Sequence, residues 1–148
     1  LRRPELAVLR VSRYRREERL MNLLIDTHIA LWAVTDSPQL PETARRLLLD
    51  PAHTVWVSAA SVWEISIKHA LGRDGMPISG SEAVHWFALA GYRDLAISSA
   101  HAAAVDSLPA IHGDPFDRIL VAQAQTEPLR LLTHDEVISR YSDVVMLV

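Results

Sequence analysis

Short apolar runs alternate along this chain with longer stretches in which apolar residues recur every three or four positions. The first rhythm marks strands and the second marks helices. Residues 22–26, Asn-Leu-Leu-Ile-Asp, read as a buried strand, and the Asp26-Thr27 pair opens a helix over Thr27–Val34. Pro38 and Pro41 introduce a second helix, Glu42–Leu49, closed by Asp50-Pro51. Residues 54–57 are β-branched and aromatic, hence a short strand. Residues 58–71 predict a long helix, with Ser61 and Glu64 in capping-box spacing and Gly72 as its stop. Beyond a loop come a helix over 81–90, a strand over 95–97 and a helix over 99–107 that Leu108-Pro109 ends. Asp114-Pro115 opens a helix over 116–125, the acid as N-cap and the proline in the first turn. A strand over 129–132, a helix over 135–141 and a strand over 144–148 complete the chain.

Strands separated by helices predict an α/β fold, a central parallel sheet with helices on both faces. At 148 residues the chain fits one domain with a substantial core. Neither a repeat nor an interdomain linker breaks residues 21–148. The first twenty residues differ in kind: they hold seven arginines and three glutamates, a charge of +4, and end against Met21. They read as a basic extension outside the domain, or as a basic arm that meets RNA or a partner.

The remaining residues carry a charge of −7, which argues against a broad phosphate-binding surface. A domain of this charge that handles nucleic acid needs positive charge supplied locally, and a metal ion supplies it. Zero cysteines exclude disulfides, thiolate-bound zinc, iron–sulfur ligation and a thiol nucleophile. No apolar run has the length of a membrane helix, and the N-terminal stretch lacks the pattern of a secretory signal, so the expectation is a cytoplasmic protein without membrane contact.

Ligands of an open parallel sheet gather at the carboxyl ends of its strands. Asp26 ends the first predicted strand, and Asp135 follows the strand over 129–132 by way of Thr133-His134. Asp114 and Asp117 begin a helix entered from a loop, and Glu64 lies on the helix after the second strand among apolar neighbours. Each acid alone has a structural explanation: Asp26, Asp114 and Asp135 as helix caps, Glu64 as the partner of Ser61 in a capping box. Together they would crowd carboxylates at one sheet edge, which costs free energy unless a cation compensates. Oxygen donors without cysteine or paired histidines favour Mg²⁺ or Mn²⁺ over zinc. Such a metal activates water and stabilises a phosphodiester in flight.

Several segments carry a family resemblance: Leu23-Leu24-Ile25-Asp26-Thr27-His28, Ser61-Val62-Trp63-Glu64-Ile65-Ser66-Ile67-Lys68, Asp114-Pro115-Phe116-Asp117-Arg118-Ile119-Leu120 and Leu132-Thr133-His134-Asp135. They resemble PIN-domain ribonucleases, and more narrowly the VapC toxins of bacterial VapBC toxin–antitoxin pairs, over residues 21–148. The resemblance implies a three-layer PIN-like domain and a metal-dependent endoribonuclease. It places the catalytic, metal-holding acids on Asp26, Glu64, Asp117 and Asp135, with Asp114 as an additional acid, cap first and ligand second. Thr133 and Thr27 are supporting residues; Lys68 and Arg118 are the local contacts for RNA phosphate, with a site carboxylate as the equal alternative partner of Arg118. The partners implied are RNA, a VapB-like antitoxin, and a second copy in a homodimer that enters a toxin–antitoxin hetero-oligomer. An antitoxin segment is expected in a groove bearing Trp32 and the leucines at 47, 48 and 49. The four tryptophans read otherwise as core or interface rather than base-stacking platforms. His69, His85 and His101 lack paired spacing and read as packing or surface. Competing readings are a flap-type DNA nuclease, for which the chain lacks room for clamping helices, and a phosphoacceptor receiver or non-catalytic binding module. A receiver wants adjacent acids after its first strand and a lysine after a late one, whereas the single lysine here, Lys68, falls on a helix.

Overall fold

A computed structural model describes residues 20–73, 75–111 and 113–148, so the basic extension lies outside the described residues but for Leu20. The strands are β1 (Asn22–Ile25), β2 (Thr54–Ser58), β3 (Arg93–Leu95), β4 (Arg130–Thr133) and β5 (Val145–Leu147). They form one parallel sheet in the order β3-β2-β1-β4-β5. The helices are α1 (Thr27–Val34), α2 (Glu42–Leu49), α3 (Ala59–Ala70), α4 (Gly80–Leu89), α5 (Ser99–Ala104), α6 (Pro115–Thr126) and α7 (Glu136–Ser139), with a 3₁₀ turn at Val105–Ser107.

Side chains of a strand alternate between faces, and this sheet uses both. Leu23, Ile25, Val55, Val57 and Leu132 pack on one face with Ile29 and Leu31 of α1, Ala44 of α2, Ile65 of α3 and Phe87 of α4. Leu24 and Leu131 pack on the other with Leu120, Val121 and Ala124 of α6 and Ile138 of α7. The result is the expected three-layer arrangement. The buried His101 belongs to this packing: its Nδ1 accepts from the Ser98 amide (3.0 Å) and its Nε2 meets Glu127 Oε1 (2.7 Å), tying α5 to the end of α6. Where α4 starts against α3, a Cβ at Gly80 would sit 1.8 Å from Ser66 Oγ, so only glycine admits this crossing.

Three departures from the sequence expectation have physical reasons. The third strand is Arg93–Leu95, two residues before the apolar 95–97 run. It is an edge strand bonded only to β2, and an edge needs backbone pairing more than buried side chains. The helix expected over 135–141 is one turn, Glu136–Ser139, after which the chain turns back so that β5 can pair with β4. The cap of α3 is Ser58, whose side chain accepts from the Ala60 amide, so Ser61 lies inside the helix and the Ser61–Glu64 capping box does not form. At the far end of α3, Gly72 (φ 62°) closes a Schellman turn, with Gly72 N–H to His69 O and Arg73 N–H to Lys68 O.

Candidate active site

The strand order reverses between β1 and β4, and that switch point leaves a crevice beyond the carboxyl ends of the two strands. A receiver-type sheet has the order 2-1-3-4-5 instead, so this topology sets the receiver reading aside. Asp26 leaves β1 at the crevice, 5% exposed, its amide bonded to Leu132 O across the switch point at 3.1 Å. Its two carboxylate oxygens do different things. Oδ1 caps α1 by accepting from the Ile29 amide (2.9 Å), and Oδ2 accepts from the Thr133 hydroxyl at the end of β4 (2.5 Å). Thr133 Oγ1 in turn accepts from the Asp135 amide (3.0 Å), and Asp135 Oδ1 caps α7 through Val137 N–H (2.8 Å). Asp26, Thr133 and Asp135 thus form one hydrogen-bonded chain.

A second chain faces it from α1 and α3. Glu64 is 4% exposed, deep among apolar neighbours, with both oxygens engaged. The Thr27 hydroxyl donates to Oε1 (2.7 Å) and lies 2.9 Å from Ser61 Oγ, while Lys68, one turn along α3, donates to Oε2 at 2.7 Å. The supporting role expected of Thr27 therefore has a concrete form. Lys68, expected at RNA phosphate, is in this structure the counter-ion of Glu64. Burial pushes the Asp26 carboxyl above its ordinary range; the Thr133 hydroxyl, the Ile29 amide and the nearby His28 pull it back, and the charge of Glu64 raises it again. The two buried acids feel each other.

Asp114 and Asp117 lie at the start of α6. Asp114 Oδ1 accepts from Phe116 N–H (2.8 Å) and Asp117 N–H (3.3 Å), the cap reading of Asp114. Phe116 meets Trp63 edge-on (5.3 Å between centroids), which docks this helix start on α3 one residue from Glu64. Among the described residues, no three acids or histidines close into a group that would hold a metal ion with the side chains as they stand. The donor set itself, carboxylate and hydroxyl oxygens around two mutually repelling buried acids, fits a hard divalent cation.

Arg118 departs from its expected role. Its guanidinium donates to Pro109 O (3.0 Å) and Val105 O (3.3 Å) and lies over the Tyr141 ring, 5.9 Å from its centroid. The carbonyls around the 3₁₀ turn need donors, and the arginine fork supplies them, so in this structure Arg118 clamps that loop. Of the residues expected in an antitoxin groove, Trp32 lines one cavity, Leu48 and Leu49 line another with His53 and Tyr92, and Trp32, Leu47 and Leu48 pack against the same side of the core. Sequence reasoning missed Ser61 as a neighbour of Thr27. It also missed a row of rings beside Asp26, in which Trp32 lies 5.7 Å from His28 and 6.0 Å from His134. Helical spacing from His28 to Trp32 was the available signal.

This α/β domain, with buried acids at its switch point, belongs to the PIN domain family, whose family model matches residues 23–144. No curated relative matches the chain. Among solved structures it is similar to VapBC2 from Rickettsia felis bound to a promoter DNA fragment, at 16% identity and a TM-score of 0.64, covering 86% of this chain and 98% of that one. It is also similar to a toxin–antitoxin complex from Klebsiella pneumoniae (18% identity, TM-score 0.58, 84% and 95% covered). FitAcB from Neisseria gonorrhoeae has the same fold (21% identity, TM-score 0.57, 85% and 96% covered). No helix among the described residues is long and apolar enough to cross a membrane.

Proposed function

We propose that this chain is a metal-dependent endoribonuclease, the toxin of a VapBC-type pair, acting in the cytoplasm and restrained by a cognate antitoxin. The observation that carries the reading is the pairing of Asp26 with Thr133 at the switch point, with Glu64 buried close enough to disfavour the ionised form of Asp26. Asp26, Glu64, Asp117 and Asp135, with Asp114 in reserve, would hold Mg²⁺ or Mn²⁺. Bound there, the ion would supply an activated water and a counter-charge for the phosphodiester. The residues of the chain do the positioning. Thr133 orients Asp26 and the Asp135 backbone together, and Thr27 and Lys68 hold both oxygens of Glu64 in place.

The similarity to toxins solved in toxin–antitoxin complexes supports an antitoxin partner. Exposed Trp63, Val84, Trp86 and Leu89 on α3 and α4, the first two lining a groove of about 450 Å³, support protein partners, including the second copy of a homodimer. The test is cleavage of total RNA by the purified chain with Mg²⁺ or Mn²⁺. Cutting that stops with EDTA and with Asp26→Asn supports the reading, and cutting undiminished in excess chelator refutes it. Co-expression with the product of the adjacent gene tests the partner: failure to co-purify and to relieve growth arrest would remove the toxin–antitoxin assignment and leave the nuclease.

A further inference from the structure

Beside the acids lies a cavity of about 390 Å³ that the reading above leaves unused. One wall is α1, presenting His28, Leu31, Trp32 and Thr35; the other is Lys68 of α3 with Gly75, Met76 and Pro77 of the following loop. Ser37 and Gln39 add hydroxyl and amide groups at the rim. Lys68 joins this cavity to the site, because the same ammonium holds Glu64 Oε2 at 2.7 Å. The ring row does so from the other side, running from His134, next to Thr133, through Trp32 to His28. Trp32 packs partly against the core and still lines the cavity.

We propose that this cleft is a nucleoside subsite, holding one unpaired base of the RNA strand beside the cleaved linkage, the base stacked on Trp32 and flanked by His28. The proposal rests on the nuclease reading and adds to it a substrate form: single-stranded RNA whose base can leave the stack. Three features choose a nucleoside over a peptide. The volume is at the small end for ligand pockets, too short for a helix about 10 Å across with its side chains. The Trp32 indole lines the cavity together with Leu31, Met76 and Pro77, and an aromatic face of this kind suits a base and accepts any of them. Thr35, Ser37 and Gln39 supply polar groups to the lining for base edges and ribose hydroxyls, and Lys68, ion-paired with Glu64, links the cavity to the acids.

The test uses the full chain carrying Asp26→Asn, so that RNA is bound but not cut, and fluorescein-labelled homopolymeric RNA heptamers read by anisotropy. Adding Trp32→Leu should weaken binding by about 5- to 150-fold, the range for loss of one stacked base. Trp32→Phe should restore most of it, His28→Ala should cost a smaller factor, and Trp86→Ala, an exposed ring outside the cavity lining, should cost nothing. Should Trp32→Leu fail to fold, heptamers abasic at each position in turn, tested on the intact pocket, should lose the same affinity at a single position. Affinity unchanged in both Trp32→Leu and His28→Ala, with uniform abasic effects, overturns the subsite. If the wild-type chain still cuts RNA in that case, the nuclease reading survives; if neither binding nor cutting of RNA is seen, both fall. Trp32→Leu and His28→Ala loosening a co-expressed antitoxin while leaving RNA affinity intact would make the cleft a peptide site and overturn the proposal.

Discussion

Thr133→Val removes one oxygen and tests the centre of the site. Thr133 is fully buried, and valine keeps its shape, so the loss is confined to two hydrogen bonds. The bond to Asp26 Oδ2, 2.5 Å long, goes to a charged acceptor that is itself buried, and bonds of that kind are worth about 1.5–3 kcal/mol. The bond from the Asp135 amide adds about 0.5–1 kcal/mol, since that exposed residue can recruit water. The expected cost where Asp26 is ionised is therefore about 2–4 kcal/mol, read from urea unfolding of the metal-free chain. The sign of its pH dependence follows from Asp26. Burial already raises that pKa, and losing the hydroxyl raises it further. An acid whose folded pKa lies above its unfolded one costs stability above that pKa and nothing below the unfolded value. The Thr133→Val penalty should be full above the raised Asp26 pKa and shrink as pH falls through it. In an Asp26→Asn background, where no charge awaits the hydroxyl, the same substitution should cost only about 1 kcal/mol. A penalty below about 0.5 kcal/mol, or one equal in both backgrounds, would refute the claim that Thr133 serves the ionised carboxylate.

Asp26→Asn should abolish cleavage while leaving metal-free stability equal or higher, because asparagine still caps α1 and the cost of a buried charge beside Glu64 disappears; thermal melts with EDTA read this. Asp114→Ala should cost about 1 kcal/mol of stability and Asp114→Asn almost none; wild-type cleavage by the asparagine variant would make Asp114 a cap alone. A chain beginning at Met21 should fold and keep its activity, since it retains the Met21 contacts to β2 and its approach, the amide to His53 Nδ1 (3.1 Å) and the carbonyl to Thr54 N–H (3.0 Å). Loss of folding in that variant would make the basic extension part of the fold.

The elements legible in the sequence were those whose signals are local. Buried strands such as β1 are continuous apolar runs, and helices such as α1, α2 and α6 announce their ends with an acid, a proline or both. What escaped was set by tertiary pairing. The edge strand β3 is polar at Arg93 and Asp94, and only its bonds to β2 make it a strand. The same division runs through the site. Asp26 and Thr133 could be placed because both end strands, and strand ends of a parallel sheet meet at one edge. Glu64 could be located but not given a partner, since whether it turns to Ser61 or to Thr27 depends on where α3 begins. Arg118 could not be assigned, because an arginine beside an acid looks the same whether it awaits phosphate or clamps a loop.

The choice posed between cap and site acid was a false alternative for Asp26. A carboxylate has two oxygens, and the cap uses one. Capping fixes the side chain at the positive end of a helix, where an anion gains about 0.3–1 kcal/mol from the aligned peptide dipoles. It also orients the second oxygen outward from the helix axis; in Asp26 that oxygen points across the switch point to Thr133. Asp135 and Asp114 are caps by the same geometry, each with one oxygen on backbone amides. Helices that follow strands in a parallel sheet all begin at its carboxyl edge, so acids chosen as caps are delivered to that edge together. At Asp26 the capping energy offsets part of the repulsion from Glu64. Glu64, which caps nothing, lacks that offset and relies on Lys68. A sheet of this topology thus gathers acids at one edge through helix capping alone, and only a residue like Glu64, buried without a capping duty, distinguishes a site from a set of caps.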